Sequence, residues 1–281
     1  MSVVAIFGAG ELGGALASKL AARARVREIR LIDPAAGVAA GKALDILQAG
    51  PIELSTVSLT APADDAAALR AVADAAIIVL ADHVGAGGKP PVEIQGEAGL
   101  TLLRRIRGQN ARAPIVCAGA AQAWLVAHAA AELGIAGTQI VGSAPHALAS
   151  ALRALVALEL NGSAHDISLI LAGTPPDGII VPWHAASSQG ATLDRLLDAG
   201  ALRRLESKIR YLWPPGPYAL AAAAARFVEA LLDGSPRTFV GFVGGAVALP
   251  IRFDSFGRAQ VLELPGLSAM QRSTLDALLP R

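Results

Sequence analysis

The chain opens on an apolar run, Ser2 to Phe7, that passes directly into the glycine turn Gly8-Ala9-Gly10-Glu11-Leu12-Gly13 and then into the helix-forming stretch ELGGALASKLAARA. An unbroken apolar run closed by glycine reads as a buried parallel strand. Within the turn each glycine has a separate task. Gly8 permits a tight exit from the strand, Gly10 keeps a side chain away from an approaching pyrophosphate, and Gly13 lets the helix lie close to the sheet. The unpaired amides and positive dipole end of the helix stabilise the anion without a lysine. A second strand, residues 28–32, ends at Asp33, about 20 residues past the last glycine, where a carboxylate accepts hydrogen bonds from the ribose hydroxyls of NAD and repels the extra phosphate of NADP. Neighbouring Pro34 and Ala35 supply no arginine to reverse that preference. NAD is therefore the predicted coenzyme, with Gly8, Gly10, Glu11, Leu12, Gly13, Asp33 and Ala81 as its contacts. Taken singly, the glycines are equally explained by close packing and Asp33 by a loop cap; the ordered set is what points to a dinucleotide.

Strands and helices alternate beyond this unit. Residues 41–51 read as a helix stopped by Gly50-Pro51, residues 57–60 as a third strand, ADDAAALRAVAD as a helix and residues 75–80 as a fourth, wholly apolar strand. The loop ADHVGAGGKPPVE is expected to be irregular because of its glycines and prolines. Helix GEAGLTLLRRIRGQ, a fifth strand over 114–118, helix QAWLVAHAAAELG and a sixth strand over 139–142 follow. The order predicts an α/β fold in two parts. Residues 1–142 form an N-terminal Rossmann parallel sheet, complete at the sixth strand, and residues 143–281 a smaller mixed α+β domain, the boundary being a change of topology within one compact body. The second part holds a long helix through ALASALRALVALEL, a strand over 167–172, further helices, two or three closing strands and a final helix, MQRSTLDALL.

Charge narrows the range of partners. The 24 Lys and Arg against 23 Asp and Glu leave a formal charge of +1, too balanced for an electrostatic grip on nucleic acid or an anionic membrane. Apolar residues make up 53% of the chain, much of it alanine, but charges interrupt every stretch before it reaches the length of a membrane span. The single cysteine, Cys117, lies in the apolar run PIVCAGA and reads as an inert core thiol in a reducing compartment. No basic start or cleavage site of a signal peptide is visible, so a cytoplasmic location is the expectation. A surface short of charge favours burial between subunits, and a homo-oligomer is expected.

The segments VAIFGAGELGGALASKL, LIDPAAGVAAGKALDI, VADAAIIVLA, IVGSAPHALASALRALVALEL, DISLILAGTPPDGIIVPW and PGPYALAAAAARFVEALL together resemble the lactate/malate dehydrogenase family over essentially the whole chain. The resemblance implies a Rossmann domain that binds NAD, a second α+β domain that holds a 2-oxo or 2-hydroxy acid, and hydride transfer between them. It also implies catalytic residues that this chain does not supply. Pro175 stands where the family has its acid–base histidine, and Leu148 and Ala151 stand where it has the orienting aspartate and a substrate arginine. The loop that carries arginines over the substrate has only Lys89, and Gly119-Ala120 replaces an Asn-Pro pair.

Two residues remain as catalytic candidates. His146, in SAPHA, falls where the family's substrate-facing helix begins, although a histidine at a helix start is also satisfied by a backbone carbonyl. Lys89 can pair with a carboxylate as a point charge or simply be solvated. His83 is placed to touch the coenzyme or to be solvated; His184, after VPW, faces the same cleft or, the favoured reading, packs beside Trp183; His128 and His165 read as structural or exposed. No spacing suggests a metal site. The functional expectation is an NAD-dependent oxidoreductase acting on a small molecule other than malate or lactate. The alternative is a catalytically silent protein that binds NAD(H), and a third possibility is a relic that binds nothing.

Overall fold

The computed structural model describes residues 2–279 of the chain. Strand β1 (Val3–Phe7) is followed by α1 (Glu11–Arg23), β2 (Glu28–Ile32), α2 (Ala36–Glu53), β3 (Ser58–Thr60), α3 (Asp65–Arg70) and β4 (Ile77–Leu80). A short pair, β5 (Asp82–His83) and β6 (Val92–Glu93), precedes α4 (Gly96–Gln109), β7 (Ile115–Cys117), α5 (Ala123–Leu133), β8 (Ile140–Gly142) and α6 (Ala144–Glu159). The remainder comprises β9 (Ile167–Ser168), β10 (Ala172–Thr174), β11 (Gly178–Ile180), β12 (Ser187–Ser188), β13 (Ala191–Thr192), α7 (Leu193–Leu196), α8 (Ala199–Ile209), α9 (Pro217–Asp233), β14 (Ser235–Val243), β15 (Ala248–Phe253), β16 (Ala259–Val261) and α10 (Ala269–Leu278).

The wholly buried run VVAIF of β1 sits at the centre of the parallel part, paired with β2 on one side and β4 on the other. The parallel strands lie in the order β3-β2-β1-β4-β7-β8, the doubly wound order that opens a crevice where the direction of winding reverses, at β1 and β4. Helix α1 buries Leu12, Leu16 and Leu20 with Ala17 and Ala21, a stripe at three- and four-residue spacing, and each of those leucines contributes about 1.5–3 kcal/mol by leaving water. One face of the sheet is covered chiefly by α1 and α9, the other by α4, α5, α6 and α8, so two apolar layers sandwich the strands. Cys117 is fully buried in β7, and burial pushes its thiol well above the usual range.

Four expectations change. The sheet is not complete at the sixth strand: β14 pairs antiparallel with β8 through Phe242↔Gly142 and Val243↔Val141, and β15, β10, β11 and β16 extend the same sheet. Residue 143 marks a change from parallel to antiparallel pairing within one sheet. Gly50-Pro51 does not stop α2, which runs to Glu53 and ends on Leu54 in the left-handed region at φ 55°. A proline in the last turn forfeits one backbone bond, and here that turn is exposed, so water takes its place. The strand expected over 167–172 splits between two sheets, because the carbonyl of Leu169 is taken by the guanidinium of Arg153 at 2.8 Å. The loop after β4 is a hairpin: Asp82 pairs with Glu93 and His83 with Val92, while the helix-breaking glycines and prolines lie between these pairs.

Candidate functional site

The glycine turn emerges at the C-terminal end of β1, between β2 and β4, the end at which open α/β sheets take their ligands. Gly8 has φ 102°, a conformation that favours glycine. A Cβ on Gly13 would collide with the carbonyl of Gly8, so α1 lies against β1 as closely as the sequence predicts. Gly8, Gly10, Leu12, Gly13 and Asp33 are thus brought together, with Ala81, just past the end of β4, beside them.

The amides that open α1 do not face an empty crevice. Asp82 lies across them: its carboxylate accepts from the amide of Leu12 at 3.1 Å and from that of Gly13 at 2.8 Å. Its backbone carbonyl accepts from Gly10 at 2.8 Å. Asp82 is 5% exposed, and a Cβ on Gly10 would land on its carboxylate group. The clearance kept by Gly10 therefore holds an anion, and that anion belongs to the chain.

Asp33 is engaged in the same way. One carboxylate oxygen accepts from the amides of Ala9 at 2.8 Å and Val84 at 3.1 Å and lies 3.3 Å from Nδ1 of His83, while the other accepts from Ala35 at 2.8 Å. The side chain is 1% exposed. Burial opposes its ionisation, but the His83 bond and the three amides outweigh it and bring Asp33 down to about 2. Glu93, at the other foot of the hairpin, accepts from Ala120 at 3.1 Å and Ala121 at 2.7 Å, filling the space a Cβ on Gly119 would need. Burial, opposed by those amides, and the neighbouring Asp82 charge hold Glu93 above the ordinary carboxyl range.

The base of the hairpin is fixed from below. Buried Gln122 donates to the carbonyls of Ala81 at 3.3 Å and Ile94 at 2.7 Å and accepts from Gly119 at 2.7 Å, and Ile94 itself donates to Ala81 at 2.9 Å. Lys42, from the GKALDI segment of α2, reaches the carbonyl of Gly10 at 2.7 Å. Asp82, Glu93, Gln122 and Lys42 are the site residues that sequence reasoning misses. The one sequence signal was an acid placed directly after an all-apolar strand, where its side chain emerges beside the glycine turn.

These contacts decide how the turn suits the predicted dinucleotide. A pyrophosphate and the Asp82 carboxylate cannot both occupy the amides of Leu12 and Gly13, and Asp33 turns no acceptor outward to a ribose. In this arrangement the residues do not fit the group.

Two cavities flank the hairpin. One, of about 680 Å³, is mainly apolar and lies between the ends of β1 and β2 and helices α3 and α4, with Phe7, Ile32, Asp33, His83 and Leu102 in its wall. The other, of about 510 Å³, has Glu11, Asp82 and Glu93 on its wall with Lys89 as the one cation among the described residues, beside Pro214 and Pro217. Lys89 lies in the wall of this second cavity. His146 is not in either wall. It packs between Phe239 and Phe227, with ring centroids 5.1 and 5.9 Å away, and its Nδ1 has no hydrogen-bond partner. Burial, then the charges of Arg153 and Arg226, lower it to about 4, so at neutral pH it is an uncharged, half-buried side chain. The two catalytic candidates are not brought together. Pro175 lies in the turn between β10 and β11, and its neighbours Pro176 and Asp177 face a separate cavity of about 360 Å³ with Glu206 and Arg210. His128 stacks on Trp124, and His184 is exposed beside Gly266.

No family model matches the chain. Malate dehydrogenase of Thermomicrobium roseum is 27% identical over 286 residues, covering 93% of this chain and 90% of the relative. Malate dehydrogenase of Chlorobium phaeobacteroides is 25% identical over 303 residues, covering 98% and 93%. Among solved structures, malate dehydrogenase from Plasmodium falciparum in complex with NADH superimposes with a TM-score of 0.85 at 18% identity, over 99% of this chain and 95% of that one. The minor L-lactate dehydrogenase of Enterococcus mundtii gives 0.80 at 18% identity, over 98% and 94%. Similarity to malate dehydrogenases that runs from end to end in sequence, on a mixed α/β fold shared with lactate and malate dehydrogenases, supports membership of this chain in the lactate/malate dehydrogenase family.

Proposed function

We propose that this chain is a catalytically silent member of its family, one that has kept the dehydrogenase scaffold and does not transfer hydride to or from malate, lactate or their oxo acids. The observation that carries this is the wall of the crevice beside the glycine turn: three carboxylates, Glu11, Asp82 and Glu93, against the single ammonium of Lys89. A 2-oxo acid brings its own carboxylate and needs paired cations to orient it, and it needs a proton donor for the alkoxide that forms as hydride arrives. Here a carboxylate would meet net negative charge. Among the described residues no histidine lines that crevice, and His83 is already held by Asp33. The test is steady-state oxidation of NADH by the purified chain with saturating oxaloacetate or pyruvate. No turnover above background is expected, and about 10 s⁻¹, an ordinary enzymatic rate, would overturn the proposal.

The apolar cavity of about 680 Å³ next to Asp33 favours a second function, NAD-dependent oxidation or reduction of an uncharged or cationic small molecule. It lies at the strand ends where ligands of such sheets bind, and the relatives are named as dehydrogenases. That function requires the β5–β6 hairpin to leave the α1 amides.

We further propose that the chain works as a homo-oligomer in the cytoplasm, with residues 1–142 as the nucleotide-type domain and 143–281 as the substrate-type domain. Helix α2 supports the first point, since of its 18 residues only Ala39 and Ala43 are buried while Val38, Leu44, Leu47 and Ile52 are exposed. An apolar row of that kind is commonly covered by another subunit. Among the described residues no helix is long and apolar enough to cross a membrane, and the near-zero net charge supports a role without nucleic acid.

A further inference from the structure

We infer that the β5–β6 hairpin is a built-in substitute for the coenzyme: Asp82 and Glu93 place carboxylates on the two sets of backbone amides at the crevice, and the chain in this state excludes dinucleotides. This deepens the proposal of catalytic silence and rests on it. Three independent features agree. First, the amides of Leu12 and Gly13, the anion-binding end of α1, are satisfied by Asp82, which comes from a strand end about 70 positions away in sequence. Second, the space that each of two glycines leaves open is filled by a carboxylate, Asp82 over Gly10 and Glu93 over Gly119. Third, the hairpin that delivers both acids is anchored at its base by Gln122, a buried side chain whose three hydrogen bonds all go to backbone groups of the chain.

The physical consequence is exclusion by charge as well as by volume. A pyrophosphate carries two negative charges and would have to displace Asp82 into a crevice already walled by Glu11 and Glu93, losing two charge-assisted bonds before making its own. Asp33 reinforces this, because its oxygens are committed to Ala9, Ala35, Val84 and His83. A simple helix cap would account for the first feature alone. It would not account for the second acid on a second set of amides, delivered by the same hairpin.

The experiment is an equilibrium titration of NADH fluorescence with the unaltered full chain and with Asp82→Gly, each checked for folding by circular dichroism and thermal melting. The unaltered chain is expected to show no saturable binding at micromolar NADH. Asp82→Gly frees both amides and should bind at least about tenfold more tightly, the change that one charge-assisted bond accounts for. If Asp82→Gly does not fold, Asp82→Asn, which keeps the shape and removes the charge, is read by the same criterion. Micromolar binding by the unaltered chain overturns the inference, and so does a folded variant that binds no better. The titration contains no oxo acid. Tight NADH binding without turnover would therefore overturn the closed crevice and leave catalytic silence standing, whereas turnover would overturn both.

Discussion

The carboxylate of Asp82 accepts a 2.8 Å hydrogen bond from the amide of Gly13, 69 positions earlier in the chain, and in doing so occupies the space that the missing side chain of Gly10 leaves open. Gly10 and Asp82 are therefore energetically coupled. Gly10→Ala should push the carboxylate off its amides and cost about 1–3 kcal/mol, the usual range for overpacking a tight site. In an Asp82→Gly background the same substitution no longer meets the carboxylate, only the backbone carbonyl of residue 82 at 2.8 Å, and should cost at least about 0.5 kcal/mol less. Urea denaturation of the four proteins in this cycle measures the difference, and strictly additive effects would show that the two residues do not share the site.

His146 sets a second expectation, on pH. Its folded value is about 4 against an ordinary 6.5, so the folded chain holds it neutral while the unfolded chain takes up a proton first. A group depressed on folding contributes stability that is present above its unfolded value and lost as pH falls through the window down to the folded one. Between pH 6.5 and 4 this residue should withdraw up to about 3 kcal/mol of stability. His146→Phe, placed among Phe227 and Phe239, removes the titration and should flatten that part of the curve. Parallel pH profiles of unfolding midpoint for the two proteins would count against the buried neutral form.

The apolar row on α2 leads to a prediction about assembly. Leu44 is 56% exposed and surrounded on its helix by Val38, Leu47 and Ile52. If a second subunit covers this row, Leu44→Glu buries a charge at the contact and should lower the mass seen by light scattering to that of a single chain, while the melting of the subunit stays within a degree or two. A monomeric mass for the unaltered chain would leave α2 without the proposed cover.

Local features of this fold are legible in the sequence wherever one short stretch carries the reason. The β1–turn–α1 unit, the strand ending at Asp33 and the crossover order of the parallel strands follow from apolar runs, glycine spacing and helical periodicity. The same reasoning fails at Gly50-Pro51, where it takes the proline for a stop although an exposed last turn tolerates it. It fails again at β8, because nothing in residues 140–142 announces that Phe242 and Val243 will pair with them from the far end of the chain. His146 shows the limit for single residues. A histidine at a helix start looks available in one dimension, and only the two phenylalanines from α9 and β14 show that its ring is packed away from the crevice.

By itself the sequence determined the scaffold and the residue types at its expected site: a doubly wound sheet with a glycine turn at its crevice, and Pro175, Leu148 and Ala151 at the positions where its family resemblance expects an acid–base histidine, its aspartate and an arginine. What the anion end of α1 holds was decided by tertiary structure alone. The turn's glycines state only that an anion fits there, and they read the same whether it comes from a ligand or from the chain. The partner is chosen by the β1–β4 pairing, which sets Asp82 beside Gly10 and Gly13, and by Gln122, which holds the hairpin down. Hydrogen bonds between residues some 70 positions apart have no local signature, since they depend on distances that exist only after the sheet has formed.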